Sequence, residues 1–391
     1  MRNRVELPFA SDLETLLRER IRDFTGGRDT LAAEEIGEVA WGVSTLWEGF
    51  TGKRELAGVD YLARPELLHA YLLYYVPRSY VQARLVLRHV DPARVTRVVD
   101  LGSGPAPVLR AAVDALSQPN RTIELSAVDH DARALEVAKR VVGRPLRAWL
   151  SKLPALPGPV QEERFDLVTL GLVLNELFAG GGLDAVEKRA DWLRTQVWPL
   201  INPGGYLAII EPALKETGRE ALHLRDRLTS SGLRIVAPCV RQGPCPALVL
   251  ERDWCHAGIR FQAPAVLQSI GRGVGIDATD LRFTYLLFQK DDAPMGHPGD
   301  EPFRVVSDPM VEKGRLKLWI CGERGRVLLD RQDKHRRPGN EVFDSLGRDD
   351  LIVVKGAEEK AQSLRVGEET EVRRLQRAVE GMAPLPGNVL R

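Results

Sequence analysis

The feature that most restricts the fold is a short apolar run that stops in glycines. Val98-Val99-Asp100-Leu101 leads into Gly102-Ser103-Gly104, and Pro107–Leu116 follows with a helical pattern. A strand that meets a helix through such a turn is the opening unit of a parallel α/β sheet, because parallel strands need a crossover. Glycines at the turn let the backbone approach a ligand that a Cβ would exclude. A lone G-x-G fits an ordinary tight turn equally well, so the neighbours decide. Ile123–Asp129 reads as the next strand, and Asp129 stands 29 residues after Asp100. A carboxylate there accepts both hydroxyls of a ribose.

The alternation continues. A helix is expected over Ala132–Val142, a short strand at Leu146–Leu150 and another at Asp166–Leu170. Helical stretches follow at Leu172–Phe178 and Asp184–Leu200, then an Asn202-Pro203-Gly204-Gly205 turn and a strand over Tyr206–Glu211. Glu216–Ser230 reads as a helix, Arg234–Ala237 as a strand, and Leu281–Gln289 as an added edge strand. Before this region, residues 1–93 read as helical. Ser11 and Glu14 have capping-box spacing at the first helix, a second runs from about Leu31 to Phe50, Pro65 opens a third that reaches the aromatic run Tyr71–Tyr75, Pro77 breaks it, and Ser79–Val90 forms a fourth. After Pro294, Phe303–Val306, Arg315–Cys321, Arg326–Leu329 and Leu351–Val354 are strand candidates.

The expected fold class is therefore α/β. It is a doubly wound, mostly parallel sheet with an N-terminal helical extension and a small β-rich C-terminal domain. The expected domains are 1–93, helical; 94–293, nucleoside-binding, with an insertion at 238–280; 294–356, β-rich; and 357–391, a polar tail, in part helical.

Composition excludes several classes. In 391 residues the charged fraction is 28% and the formal net charge +1, so no global field favours nucleic acid. No apolar run reaches the roughly 18 residues that a membrane span needs. Met1-Arg2-Asn3-Arg4-Val5-Glu6 is not followed by an apolar h-region, so a cytoplasmic protein is expected, without a membrane or DNA partner. One stretch is locally basic. Lys313, Arg315, Lys317, Arg324, Arg326, Arg331, Lys334, Arg336 and Arg337 fall close together. Such a stretch either meets phosphates or is a solvated face. Arg78 and residues 331–337 are the candidate RNA contacts, whereas Tyr71–Tyr75 and Trp254 read as core rather than as stacking platforms.

The chain has four cysteines, spaced Cys239-x5-Cys245-x9-Cys255, then Cys321. Four are too few for a disulfide scaffold in a chain of this size. Four thiolates complete a tetrahedral zinc site or hold a [4Fe–4S] cluster, and spacing does not choose between them. A free cysteine is otherwise a small buried hydrophobe. His256 is a neighbour and an alternative ligand. If Cys321 is a ligand, the metal ties the β-rich segment to the insertion that carries the other three.

With these residues in view, the chain resembles the class I S-adenosylmethionine-dependent methyltransferases. Asp100, Gly102 and Gly104 match their first motif, with Ala106 in place of a third glycine. The Phe165–Val168 strand and the Pro203-Gly204-Gly205 turn extend the likeness. Ile210-Glu211-Pro212, Ala237-Pro238-Cys239, Cys245-Pro246, Trp254-Cys255-His256 and Leu318-Trp319-Ile320-Cys321-Gly322 narrow it. They resemble the methyltransferase-like proteins of the mitochondrial small ribosomal subunit and their bacterial relatives. That resemblance implies S-adenosylmethionine as cofactor, with Asp100, Gly102, Ser103, Gly104, Asp129 and Asn175 as candidate binding residues. It implies a [4Fe–4S] cluster on Cys239, Cys245, Cys255 and Cys321, and a role in small-subunit assembly with rRNA as partner. Methyl transfer to rRNA and non-catalytic assembly are both compatible with it. The Asn-Pro-Pro-Tyr used by amino-group methylases of bases is replaced by Asn175-Glu176-Leu177. Glu176 and Glu211 are the candidate proton acceptors. A radical enzyme is disfavoured, since those carry a C-x3-C-x2-C triad that leaves one iron open.

Overall fold

Elements follow the chain closely in the computed structural model, which describes residues 4–51, 61–178, 180–291, 301–361 and 363–379. In order they are α1 (Ala10–Thr25), α2 (Ala33–Thr51), α3 (Pro65–Ala70), α4 (Val76–Leu87), β1 (Arg97–Leu101), α5 (Pro107–Leu116) and β2 (Glu124–Asp129). Then come α6 (Ala132–Val142), β3 (Arg147–Leu150), α7 (Gly158–Glu162), β4 (Phe165–Gly171), α8 (Gly182–Trp192) and β5 (Ile201–Pro212). They are followed by α9 (Lys215–Ser230), β6 (Arg234–Ala237), β7 (Ala257–Arg260), α10 (Ala265–Gly273) and β8 (Asp280–Gln289). The rest is β9 (Pro302–Val305), β10 (Met310–Glu312), β11 (Arg315–Gly322), β12 (Gly325–Gln332), β13 (Leu351–Lys355), β14 (Glu358–Lys360), β15 (Ser363–Val366) and β16 (Glu371–Gln376).

Two units are distinguished by their internal contacts: Met1–Glu211 with Arg260–Leu281, and Pro212–Ile259 with Arg282–Arg391. The first carries five parallel strands in the order β3-β2-β1-β4-β5. Right-handed crossovers require α5 and α6 between successive strands. Both helices are apolar on the sheet side. In α6, Ala134, Leu135, Val137, Ala138, Val141 and Val142 are buried, at helical spacing. Asp131 caps its start by accepting from Arg133 N at 2.8 Å, and Gly143 ends it at φ 65°. Among the N-terminal helices, α4 packs on α5 and α2 packs on α3 and α10.

Several local expectations are corrected. Ser11 and Glu14 form no cap; α1 starts at Ala10 with Phe9 as N-cap and no side-chain bond to it. Pro77 does not break its helix. Tyr71–Tyr75 forms a π-helical turn ahead of it, and Pro77 sits in the first turn of α4, where its missing N–H is tolerated. Residues 201–205 do not leave the sheet: Phe165 pairs with Ile201 and Leu167 with Tyr206, so the Pro-Gly-Gly stretch is a bulge within β5. Leu172–Phe178 is not a helix but a loop with one 3₁₀ turn, Leu174–Glu176.

In the second unit β6 pairs antiparallel with β8, and β7 also pairs with β8. The terminal strand is β6, so Leu281–Gln289 is not the edge it was expected to be. A further eight-stranded sheet has the order β14-β15-β12-β11-β9-β13-β16, with β10 on β11. Phe303, Val305, Leu318, Ile320, Leu329 and Phe343 fill its core. The segment from 357 is not a helical tail: Leu364, Val366 and Val372 are buried, and β14–β16 run to Gln376. Residues 380–391 of that expected tail lie outside the described residues.

Candidate functional site

The turn after β1 bends as glycine allows. Gly102 has φ 74° and Gly104 φ 51°. Ala106 also adopts φ 59°, so the turn forms with alanine in the third position, in a conformation that disfavours a Cβ. Gly102 N and Ser103 N donate to Val128 O at 2.8 and 3.0 Å, which ties the turn to the end of β2. Gly104 N donates to Asp129 Oδ2 at 2.7 Å, and Asp131 N to Asp129 Oδ1 at 2.9 Å. The Asp129 carboxylate is therefore fixed against the turn. A carboxylate has about four lone-pair sites, so acceptor capacity remains for a ligand.

Beside the turn lies a cavity of about 270 Å³. Gly102, Ser103, Gly104 and Asp129 line it, with His130, Ser151 and Lys152 from the ends of β2 and β3. A Cβ built on Gly104 would meet nothing within 4 Å among the described residues, whereas one on Gly102 would stand 2.4 Å from Val173 Cγ2. Gly104 thus opens onto empty space, and Gly102 makes room for the loop after β4. Leu172, Val173, Glu176, Leu177 and Phe178 of that loop form another wall.

Not every residue picked from the sequence reaches the cavity. Asp100 does not line it. It is buried behind the turn, accepts from Thr169 Oγ1 at 2.6 Å, and burial pushes its pKa up to about 7. Asn175 is also off the lining; its carbonyl accepts from Arg189 Nη2 at 3.1 Å. Of the two candidate proton acceptors, Glu176 lines the cavity and Glu211 does not.

Glu211 has a different task. It is 4% exposed, at the end of β5, and its Oε1 accepts from Leu174 N at 3.1 Å. Arg189 on α8 donates to Leu177 O at 3.0 Å. These two side chains hold a loop whose ends, Leu172 and Phe178, both have positive φ, 62° and 63°. Positive φ at non-glycine residues persists where the surroundings over-determine it, and it gathers at ligand sites. Burial raises the Glu211 pKa to about 8, with Arg189 opposing and Glu176 adding.

A pH-dependent prediction follows for Glu211. The folded pKa lies above the unfolded one, so its contribution is full below about 4.5 and is lost as pH rises through about 8. Glu211→Gln keeps an acceptor for Leu174 N and cannot ionise. The variant should match or trail the wild type near pH 4.5 and gain on it up to pH 8, by on the order of a few kcal/mol. Urea unfolding at both ends of that window checks this, and a difference that does not change with pH would refute it.

Sequence reasoning missed the wall supplied by the N-terminal helices. Tyr71, Ser79 and Gln82 line the cavity, and Gln82 Oε1 is buried with no hydrogen-bond partner among the described residues. The available signal was Ser79 and Gln82, two uncharged polar residues three apart on one face of a helix whose other positions are mostly apolar.

The four cysteines converge within the second unit. Cys239, Cys245, Cys255 and Cys321 all line one cavity of about 50 Å³, together with Arg225, Arg241, Arg304 and Arg326. Burial pushes the thiols of Cys245, Cys255 and Cys321 up to about 12. Among the described residues no three His, Cys, Asp or Glu side chains meet closely enough to hold a metal ion as they stand. The thiols ring a space rather than share a point. Cys321 lies on β11, while the other three fall between Ala237 and Ala257.

Most of the basic stretch is engaged in ion pairs. Arg331 is buried against Asn340 and Asp344, Arg336 pairs with Asp344 at 3.0 Å, and Arg337 with Glu368 at 2.5 Å. Arg324 pairs with Glu301 and Glu359, Arg326 with Asp253 and Lys317 with Glu312. Of the pairing acids, Asp253, Glu301, Glu359 and Glu368 are distant in sequence from their partners. Arg78 is likewise committed, donating to Ala278 O at 3.1 Å and Asp280 O at 3.3 Å. No helix among the described residues is long and apolar enough to cross a membrane.

No curated protein matches the chain in sequence. Among solved structures, the plantazolicin methyltransferase BpumL in complex with SAH aligns at 12% identity and TM-score 0.34, over 66% of this chain and 98% of that one. An O-methyltransferase family protein from Burkholderia thailandensis aligns at 15% and 0.38, over 68% and 75%. A putative RNA methyltransferase from Pyrococcus horikoshii aligns at 11% and 0.33, over 55% and 85%. The family model described as mitochondrial small ribosomal subunit Rsm22 matches residues 65–344, a span that takes in the glycine turn, Asp129 and all four cysteines. With more than half of its length matched, the chain belongs to the Rsm22 family.

Proposed function

We propose that this chain binds S-adenosylmethionine in the first unit and acts on the small ribosomal subunit, methylating its rRNA, with a [4Fe–4S] cluster in the second unit. One observation carries the cofactor reading. The Asp129 carboxylate is held 2.7 Å from Gly104 N at the mouth of a cavity where Gly104 leaves open space. Asp129 would accept the ribose hydroxyls, and the Gly102–Gly104 backbone would face the rest of the nucleoside. Bound there, the cofactor supplies an electrophilic methyl group.

The chain's own residues do the positioning, which is the main demand of such a transfer. The loop of Leu172–Phe178, braced by Glu211 and Arg189, forms the wall from which an acceptor would approach. Glu176 on that wall would take a proton from a base nitrogen. Glu211 holds the loop.

The four cysteines suit a thiophilic group, because a sulfur-only donor set favours zinc or an iron–sulfur cluster. Resemblance to the family favours the cluster. Three ligands would come from the 238–255 segment and one from β11, so the group would join these parts within the second unit.

A second reading is a non-catalytic assembly factor. It is supported by the withdrawal of Asp100, Asn175 and Glu211 from the cavity lining, which leaves Glu176 as the one sequence candidate for a base there. Both readings meet one experiment. The purified protein is titrated with S-adenosylhomocysteine and then incubated with methyl-labelled S-adenosylmethionine and immature small subunits. Binding with label in rRNA supports the enzyme. Binding without label favours the assembly factor, and no binding overturns both cofactor readings.

A further inference from the structure

The cysteine cavity is lined by guanidinium groups as well as thiols, and their hydrogen bonds do not balance. Arg225 on α9 is fully buried, at 0% exposed. Its Nη1 donates to Asp226 Oδ1 at 2.6 Å and to Gly243 O, and its Nη2 donates to Arg241 O. Asp226 in turn accepts from Cys245 N at 3.0 Å. The pair therefore fixes the turn that carries the second cysteine. What remains is Nε–H of Arg225, which is buried with no acceptor among the described residues.

The same holds for two other arginines of the lining. Arg241 Nε and Arg326 Nε are buried without a partner. Arg304, the fourth, differs: its Nε donates to Pro238 O at 3.0 Å. Arg326 faces Cys321 directly across the β11–β12 ladder, so the two side chains leave the sheet on one face. Arg225 lies close enough to Cys239 and Cys245 to act on them electrostatically, as does Arg241 on Cys321. Arg20, Arg97, Arg234, Arg331, Arg348 and Arg374 also bury an Nε without a hydrogen-bond partner among the described residues; what sets Arg225, Arg241 and Arg326 apart is that they line one cavity, where an occupant that brings acceptors would satisfy all three. Metal-bound thiolates are such acceptors. Neutral thiols accept only weakly.

We propose that Arg225, Arg241 and Arg326 donate through Nε–H to the thiolate sulfurs of metal-bound Cys239, Cys245 and Cys321, and so favour the reduced state of the bound cluster. This rests on the cluster reading above. Hydrogen bonds to cluster sulfurs and nearby positive charge stabilise the form that carries one more electron.

The test is an anaerobic, dye-mediated spectroelectrochemical titration of the whole chain after iron and sulfide reconstitution. Wild type is compared with Arg225→Lys and Arg241→Gln, with dithionite as the electron source. Each variant should hold wild-type iron and show, at the wild-type midpoint, an oxidised-to-reduced ratio about tenfold higher, which is 59 mV for a one-electron couple. Unchanged midpoints at equal iron content would overturn the proposal and leave the cluster reading intact. Zinc without iron in the wild type would overturn both, and it is seen before any variant is compared. Should Arg225→Lys fail to fold, because it also braces the turn, Arg241→Gln and Arg326→Gln decide.

Discussion

Gly102→Ala should lose S-adenosylhomocysteine binding by about 30-fold or more, and Gly104→Ala should lose it with much less damage to the fold. At Gly102 a Cβ would lie 2.4 Å from Val173 Cγ2 and 2.9 Å from Val173 Cβ, on a backbone at φ +74°. The left-handed conformation costs an L-residue about 1–2 kcal/mol. Crowding a packed site adds about 1–3 kcal/mol. Val173 belongs to the loop that walls the cavity, so it must move and take the wall with it. The free variant relieves this strain by shifting the turn and Val173, so restoring the wild-type wall around the ligand costs at least about 2 kcal/mol on binding, and 1.4 kcal/mol is a factor of ten in affinity. At Gly104 the added methyl meets nothing within 4 Å among the described residues, so only the conformational cost at φ +51° falls on the fold. The methyl instead occupies the space assigned to the nucleoside. Calorimetric titration and a melting curve for each variant separate the cases. Wild-type affinity in Gly104→Ala would sink the cofactor assignment.

How much of this was legible in the sequence depends on the range of the interactions involved. The βα alternation and the glycine turn are local, and they fold as read. The pairing of Asp129 with the turn was legible because parallel strands put both at one sheet edge. What escaped was set by contacts distant in sequence. Leu172–Phe178 has helical composition, yet Glu211 and Arg189, more than ten positions away, hold it as a loop with positive φ at both ends. Pro77 reads as a helix breaker, but the π-helical turn at Tyr71–Tyr75 absorbs it. The basic run left a phosphate surface and a solvated face both open because Glu301, Glu359, Glu368 and Asp253, which pair with it, lie on other elements. For the same reason the four cysteines could be grouped by count and spacing alone, while the arginines among them could not.

Cys321→Ser is expected to remove the metal and lower the melting temperature of the second unit by about 10 °C. The other three thiols lie within one stretch of chain, so Cys321 alone closes a long loop. The separation from Cys255 is 321 − 255 = 66 residues. A cross-link closing a loop of that length is worth about 4 kcal/mol in the chain-entropy model. One kcal/mol moves the midpoint of a domain of 150–250 residues by about 2–4 °C. Serine is close to cysteine in size, and Cys321 is only partly buried, so the metal-free proteins should melt together. The loss then belongs to the loaded state, because metal binding free energy is folding free energy where the site forms on folding. Scanning calorimetry with metal analysis, run on loaded and chelated samples of both proteins, measures the difference of differences. The variant's second unit should also be cut faster by protease in the loaded comparison. A loaded Cys321→Ser that keeps its metal and melts with the wild type would remove Cys321 from the ligand set, and with it the tie between β11 and the cysteine-bearing segment.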